Sequence, residues 1–227
     1  MRAKVILILF FAVLVAFFSE NGLTQGDVVR LPKPRYEGKV SVEQAIFKRK
    51  SIRSFTGAPL TLEEVSQLLW AAGGQTVDGV TGPTRSYPSA GASYPLEIFL
   101  VAGNVTGLEA GIYRYNWREN SLTLLRRGDL RNELRKAARG QYMVGEAPVT
   151  IVITADYDKT TRRYGERGRS MYVPMDAGHL GQNVHLQAEG LGLGTVMIGA
   201  FKDREVAGVL GTEKETPVYM MPVGRPR

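Results

Sequence analysis

The sequence predicts an α+β fold, and three observations support that prediction. Segments with hairpin character are mixed with amphipathic helical segments, unlike the regular strand–helix repeat of an α/β protein. The run from Val149 to Ala155 is continuous and largely β-branched, as in buried central strands. Hydrophobic residues form 44% of the 227-residue chain and charged residues 22%, which excludes a disordered, collagen-like or multi-span membrane protein. This length suits one main domain.

The amino terminus, residues 1–26, has the pattern of a targeting segment. A short basic start at residues 1–4 precedes an unbroken apolar run at residues 5–18. As a helix that run would be about 21 Å long, shorter than the ~30 Å hydrocarbon core of a membrane. We therefore expect a signal peptide or an N-terminal membrane anchor, with the protein exported or tethered through residues 5–18. A buried helix is the alternative, and a start assigned too far upstream would make the protein cytoplasmic.

The next segments predict a tether and two capped helices. Residues 27–40 contain two prolines and predict an extended tether to a domain at residues 41–227. Residues 41–44 and 61–64 match the capping-box pattern, so each predicts the start of a helix. Residues 75–95 are rich in Gly, Pro, Ser and Thr and predict a long loop. The first helix places three apolar residues on one face, and the second ends at two glycines: Val42, Ala45 and Ile46, then Gly73 and Gly74.

The rest of the chain, from residue 96 onward, predicts a mixture of strands and helices. The helix after the second hairpin arm opens at Asp129 and ends at Gly140, and the longest helix has Pro174 in its first turn. The predicted strands are residues 97–102, 111–115, 122–125, 149–155, 195–199 and 217–223, and the last two helices are residues 174–189 and 203–210.

Composition and motifs exclude several kinds of chemistry. The chain has no cysteine, which excludes disulfides, zinc–thiolate sites, iron–sulfur clusters and thiol catalysis. Its net charge of +7 is scattered without an aromatic recognition motif, so we expect no nucleic-acid partner. His179 and His185 would face opposite sides of a helix, at ~100° per residue, and no metal site is predicted. Gly190, Gly192 and Gly194 follow a helix and precede a strand, the reverse of the dinucleotide-binding order.

One basic segment has the composition of an anion site. Arg49, Lys50 and Arg53 place three cations within five residues, together with the hydroxyl of Ser51. In an extended chain Arg49, Ser51 and Arg53 point to one side, and a guanidinium fork beside a hydroxyl suits a phosphate. A solvated basic loop is the equally simple interpretation.

A second segment is unusual for its small side chains. Residues 88–93 contain almost no bulk, which lets backbone amides approach a flat ligand closely, although an ordinary turn-rich loop has the same composition. Tyr87, Tyr94 and Tyr113 are candidates for a groove that stacks an aromatic substrate, and buried core tyrosines are the alternative.

Several short motifs occur in a characteristic order across residues 41–227. They are residues 49–55, 68–73, 88–97, 111–113, 146–148, 176–179 with 182–183, 191–195, 198–201 and 221–224. Together they resemble the nitroreductase family of FMN enzymes, and within it the group related to the SagB-type azoline dehydrogenases. The resemblance implies an α+β sandwich with a central, mostly antiparallel sheet flanked by helices. It also implies a homodimer with one FMN in each of two clefts at the interface.

The resemblance implies roles for individual residues around the FMN. Those implied to hold its phosphate and ribityl chain are Arg49, Lys50, Ser51 and Arg53, with Arg225 and Arg227 returning to the phosphate. Those implied to lie by the flavin ring are Pro88, Ser89, Ala90 and Ala92 from the other subunit, Gln141 at the pyrimidine edge, and the backbone of Gly199 and Ala200 near the reactive nitrogen. No side chain is implied as a catalytic nucleophile.

The resemblance also implies an activity. It implies an FMN-dependent oxidoreductase that transfers two electrons from NAD(P)H to a flat acceptor, such as a nitroaromatic or a quinone. Two alternatives stay open: a SagB-like dehydrogenase that oxidises azolines on a peptide, and a membrane-tethered, non-catalytic flavin-binding module. If the protein is exported, an electron donor other than soluble nicotinamide is expected.

Overall fold

The computed structural model describes residues 25–79 and 82–227, and its framework is a seven-stranded sheet. The sheet order is β1-β8-β7-β5-β9-β11-β10, and every neighbouring pair is antiparallel. Two small sheets pair β2 with β6 and β3 with β4. The strands are β1 (Val28–Arg30), β2 (Leu60–Thr61), β3 (Gln75–Gly79), β4 (Gly82–Arg85), β5 (Leu96–Ala102), β6 (Val105–Thr106), β7 (Gly111–Asn116), β8 (Ser121–Arg127), β9 (Val149–Ala155), β10 (Gly194–Thr195) and β11 (Thr216–Gly224).

Helices cover both faces of this sheet. On one face α2 and α6 enclose a core that includes Leu68 and Val184, and on the other α3, α4 and α7 enclose a second core that includes Leu134 and Val206. A π-helical stretch at Gly168–Tyr172 joins α5 to α6. The helices are α1 (Val42–Lys48), α2 (Leu62–Gly73), α3 (Arg131–Ala137), α4 (Tyr142–Glu146), α5 (Asp158–Arg167), α6 (Val173–Gly190) and α7 (Asp203–Leu210).

The central strand shows why the fold is a sandwich. All seven residues of β9 are buried, between β5 on one side and β11 on the other. Consecutive side chains of a β-strand point to opposite faces of the sheet. Ile151 and Ile153 accordingly join the α2–α6 core, whereas Val152 joins the core on the α3–α7 side. The predicted α+β class with an antiparallel sheet flanked by helices is confirmed.

The predicted helix starts are largely confirmed. Thr61 forms a complete capping box with Glu64, and the Ser41 side chain accepts the N–H of Gln44 at 3.2 Å. Pro174 lies in the first turn of α6, and α7 has the predicted limits. Asp129 lies one residue before the N-cap, Leu130, and accepts the N–H of Arg131 at 3.2 Å.

Two predicted segments differ from the structure, and two helices were not predicted. Residues 75–95 are not a continuous loop, because β3 and β4 form a hairpin and Ala90–Ala92 makes a short 3-10 turn. The predicted strand at residues 195–199 is reduced to the two residues of β10 plus one bridge from Ile198 to Met220. Helices α4 and α5 were not anticipated, since their residues are polar or lack a helical apolar period.

The segment before the domain also differs from expectation. Within residues 27–40, β1 pairs with β8 and Leu31 is 8% exposed, so part of the predicted tether completes the sheet edge. The proposed signal peptide or anchor at residues 1–26 lies almost entirely outside the described residues. Within residues 25–79 and 82–227, no helix has the length and apolar character needed to cross a membrane.

Candidate functional site

The basic segment at residues 49–53 is held as an added edge beside β10. Ser51 forms a parallel bridge with Thr195, and the Ile52 N–H donates to the Thr195 carbonyl at 2.9 Å. Gly194 permits this approach, because a Cβ there would lie 2.6 Å from the Cβ of Ile52. The extended conformation that places Arg49, Ser51 and Arg53 on one side is therefore imposed by the neighbouring strand.

The carboxyl-terminal tail lies along the same segment. The Thr56 N–H donates to the Arg225 carbonyl at 3.0 Å, and the Arg227 N–H donates to the Ser54 carbonyl at 3.2 Å. Phe55 and Pro226 form an antiparallel bridge. The structure thus places residues 225–227 beside residues 54–56, which directly follow the basic segment at residues 49–53. That the two basic groups share one phosphate stays a prediction.

Arg225 has a partner that the sequence did not reveal. Its Nη2 donates to both carboxylate oxygens of Glu64, at 2.9 and 3.0 Å. Glu64 also accepts the Thr61 N–H at 2.9 Å as part of the capping box of α2. One carboxylate therefore serves both the helix start and the tail, and the charge of Arg225 is already neutralised.

The other cations of this cluster are not neutralised. Arg49 is half-buried, while Lys50, Arg53 and Arg227 are exposed, and none of the four forms an ion pair with a carboxylate in the described part of the chain. Buried His185 on α6 faces Arg49. Burial, and then the charge of Arg49, lower the pKa of His185 to about 4, so this imidazole is neutral at pH 7.

The turn at Gly199 and Ala200 contacts Gln141, a contact that the sequence did not predict. Gln141 donates from Nε2 to the Ala200 carbonyl at 2.8 Å and to the Ala138 carbonyl at 2.9 Å. Both turn residues are exposed, and within the described residues no hydrogen bond uses their N–H groups. Because Gly199 is four residues beyond Thr195, it lies at most about 14 Å from the point where Ser51 pairs. The turn and the basic segment can therefore contact the two ends of one elongated ligand.

The small-residue loop is a fixed structure attached to the start of α6. The Ser89 hydroxyl donates to the Asp176 carboxylate at 2.5 Å and accepts the Tyr94 N–H at 3.0 Å. Ala92 and Tyr94 have positive φ angles of 53° and 43°, which cost non-glycine residues about 1–3 kcal/mol each. The hydrogen bonds of Ser89 to Asp176 and Tyr94 hold the loop in this conformation.

Asp176 is the functional candidate that sequence reasoning did not assign. It is 2% exposed, and its burial raises its pKa, while Ser89 and the Ala90 N–H act in the opposite direction. With Pro88, Ala90 and His179 it lines a cavity of about 160 Å³. The available signal was an aspartate among the apolar and small residues of a predicted helix, but its partner is 87 residues away.

The loop and the basic segment do not meet within one chain. The loop contacts α6 at Asp176, whereas Arg49 is near His185, nine residues or about 14 Å farther along the helix. Of the two interpretations of the tyrosines, the buried-core alternative is confirmed for Tyr87 and Tyr113, which are 1% and 0% exposed, so the three do not form a groove. Only Tyr94 is partly accessible.

A family model described as the nitroreductase family matches residues 46–225 of the chain. A protein from Methanocaldococcus jannaschii, provisionally named a nitroreductase, is 42% identical over 200 residues, which cover 88% of this chain and 98% of the relative. The Escherichia coli microcin B17-processing protein McbC is 28% identical over 137 residues, 58% of this chain and 50% of McbC.

Solved structures with a similar fold include another protein of this kind. The crystal structure of a provisional nitroreductase from Anabaena variabilis superposes with a TM-score of 0.75 and 32% identity. It covers 89% of this chain, and this chain spans 42% of that larger protein.

Proposed function

The chain belongs to the nitroreductase family of oxidoreductases, and from that membership we propose that it binds FMN and transfers two electrons from NAD(P)H to a flat acceptor. A nitroaromatic or a quinone is the expected acceptor class. The observation that carries the proposal is the cluster of unneutralised cations at Arg49, Lys50, Arg53 and Arg227, fixed in place beside β10.

The residues present fit the phosphate end of FMN. Ser51 contributes a hydroxyl on the same extended segment as the cations. Hydrogen bonds between guanidinium groups and phosphate oxygens are charge-assisted, and Arg forks match phosphate geometry. His185 adds no further positive charge at neutral pH, because it is uncharged there.

The turn at the other end fits the flavin ring. Gly199 and Ala200 present exposed N–H groups that no other group uses within the described residues, and Gln141 braces the turn through the Ala200 carbonyl. A bound FMN would supply the two-electron redox chemistry, while the protein supplies orientation and electrostatics. Backbone N–H groups fixed in this way stabilise negative charge that develops at a ring nitrogen.

We propose that a second copy of the chain completes the site. The loop at residues 88–92 is about 14 Å along α6 from the Arg49 position of its own chain. The resemblance to the nitroreductase family assigns this loop to the flavin of the other subunit, and in such a homodimer the partner's loop would cover the flavin-ring end. Asp176 would hold that loop through Ser89 and Ala90.

The phosphate assignment is tested by the double variant R49A/R53A. Each lost charge-assisted hydrogen bond costs about 1.5–3 kcal/mol, so we expect the FMN dissociation constant to rise at least ~100-fold. The measurement is an FMN titration followed by flavin fluorescence quenching. The matched control is R162A/R204A, which removes two exposed arginines from α5 and α7 and should leave the dissociation constant unchanged. Full flavin occupancy in R49A/R53A would refute the assignment.

A second candidate function rests on the similarity to McbC, a microcin B17-processing protein. On that basis the same site would oxidise azoline rings on a peptide to azoles, with a bound FMN accepting the two electrons and the two protons shared between the flavin and solvent. The two activities are distinguished by assaying NAD(P)H-dependent reduction of a quinone against oxidation of a peptide azoline monitored by a 2-Da mass loss, about the mass of two hydrogen atoms.

A further inference from the structure

We propose that a second cavity, on the outer side of the small-residue loop, binds a planar aromatic ligand that carries a carboxylate or phosphate group. The cavity lies between residues 91–94 and the β7–β8 turn and has a volume of about 440 Å³. It does not use the cations assigned to FMN, and the proposal does not depend on the proposed redox function.

A buried cation without a carboxylate partner marks this cavity. Arg85 is 6% exposed, and its Nε and Nη1 donate to the carbonyls of Gly73 and Leu96 at 2.7 and 2.8 Å. In the described part of the chain no carboxylate forms an ion pair with it. Buried charges are ordinarily paired, because desolvation without compensation is costly. An anion in the cavity would supply the missing negative charge.

A second cation at the cavity mouth is also unpaired. Arg118 is exposed, and its guanidinium lies 4.3 Å from the centre of the Trp117 ring. It forms no ion pair with any carboxylate among residues 25–79 and 82–227. Lys159, by contrast, pairs with Glu97 at 2.6 Å, so its charge is balanced. The cavity is therefore lined by two arginines without a carboxylate partner, Arg85 and Arg118. Arg85 is held by two carbonyls and by aromatic rings rather than by a negative charge.

Aromatic walls define the rest of the ligand. Trp117 and Tyr94 line the cavity, and the Arg85 guanidinium lies 5.4 and 6.0 Å from their ring centres. Cavities of roughly 300–1,000 Å³ hold small organic ligands, and aromatic walls favour stacking of a flat ring. An aromatic carboxylate and a nucleoside monophosphate share this chemistry, since both join a planar ring to an anionic group.

The loop separates this cavity from the proposed flavin site. Pro88, Ser89 and Ala90 line the smaller cavity of about 160 Å³ together with Asp176, whereas Gly91 to Tyr94 line the larger one. The positive φ angles at Ala92 and Tyr94 lie in the part of the loop that lines the larger cavity. The two cavities are therefore distinct sites that share one rigid loop.

The proposal is tested by calorimetric titration of the purified full chain with matched charged and neutral probes. We expect 2-naphthoate to bind about tenfold or more tightly than 2-naphthalenemethanol, because an added charge-assisted hydrogen bond contributes ~1.5–3 kcal/mol. R118Q should weaken naphthoate binding about fivefold or more. R204Q, which removes an exposed arginine from α7, should not change it.

Two further measurements test where the ligand binds and whether it is an aromatic carboxylate or a nucleotide. Trp70 and Trp117 are the only tryptophans, so in W70F the naphthoate-dependent change in protein fluorescence reports Trp117. AMP and adenosine replace the naphthalene pair to test a nucleotide source. The proposal is overturned if the anionic and neutral probes bind equally, if neither anion binds, or if R118Q behaves like R204Q.

Discussion

The carboxylate of Glu64 determines whether Arg225 is available to bind an anion at the proposed site. Glu64 caps α2 through the Thr61 N–H and also holds Arg225 through both carboxylate oxygens. The other four cations of the cluster lack such a partner in the described residues. A residue-scale change at Glu64 can therefore redirect Arg225 toward a bound anion.

E64Q separates the two roles of Glu64. Glutamine still accepts the Thr61 N–H, so the capping box remains, but the negative charge beside Arg225 is lost. We expect FMN affinity to rise by up to about fivefold, since a partly exposed charge pair is worth ~0.2–1 kcal/mol. The measurement is an FMN titration of E64Q beside R225Q, which should weaken binding. Unchanged affinity in both variants would show that Arg225 serves the fold alone.

Local residue patterns predicted some of these side chains and not others. The alternation of Arg49, Ser51 and Arg53 could be recognised from the sequence, because its period is that of an extended chain. The Asp176–Ser89 contact and the Arg225–Glu64 pair could not, because each joins residues 87 or 161 positions apart. Both contacts are set by tertiary packing.

At the scale of elements, the site depends on how closely residues 50–53 approach β10. The approach is possible because Gly194 has no side chain and Ile52 occupies the space beside it. The hydrogen bond from Ile52 to Thr195 then fixes the register of the basic segment.

G194A should displace the basic segment. The new Cβ would meet Ile52 at 2.6 Å, and overpacking of this kind costs about 1–3 kcal/mol. We expect a lower melting temperature together with weaker FMN binding. The control is G208A in α7, where a Cβ meets nothing within 4 Å. It should stabilise the protein by ~0.5–1 kcal/mol and leave FMN binding unchanged. A G194A protein with wild-type FMN affinity would contradict the assigned role of this approach.

Elements with a clear start and period were predicted, and irregular elements were not. Thr61, Pro174 and Asp203 open α2, α6 and α7 as expected, because capping and proline preferences act locally. The β3–β4 hairpin has no apolar alternation to reveal it. The short β10 depends on its pairing with β11, which the sequence does not specify.

At the scale of the whole molecule, α1 exposes an apolar surface. Val42, Ile46 and Phe47 are 64%, 56% and 90% exposed, although the sequence placed Val42 and Ile46 on a face with buried Ala45. The helix packs against α6, whose Met175 is also 48% exposed. Exposed apolar side chains grouped on one helix are typical of an association surface. We propose that the second subunit packs against this surface of α1.

I46E/F47E should dissociate the homodimer. Two carboxylates on each subunit would have to be buried without partners, which is strongly unfavourable. We expect light scattering after size-exclusion chromatography to report a monomer that also loses most of its bound FMN. V77E changes an apolar residue that is 80% exposed on β3 and should remain a dimer. A dimeric I46E/F47E would place the interface elsewhere.

The overall architecture could be inferred from the order of short motifs, and the structure confirms the sandwich that this order implied. The extent of the sheet could not, because β1 comes from residues that have the composition of a linker. The proposed site uses two separate positions of α6, Asp176 beside the loop and His185 beside Arg49. No pattern in the sequence shows which segments contact these two positions.

The most direct test is the absorbance spectrum of the FMN-loaded protein during anaerobic titration with NADH and NADPH. We expect the flavin band to bleach with one of the two donors and to return when a quinone is added. Bound flavin that stays oxidised with both donors would contradict the proposed NAD(P)H-dependent activity, and failure to bind FMN would contradict the site itself.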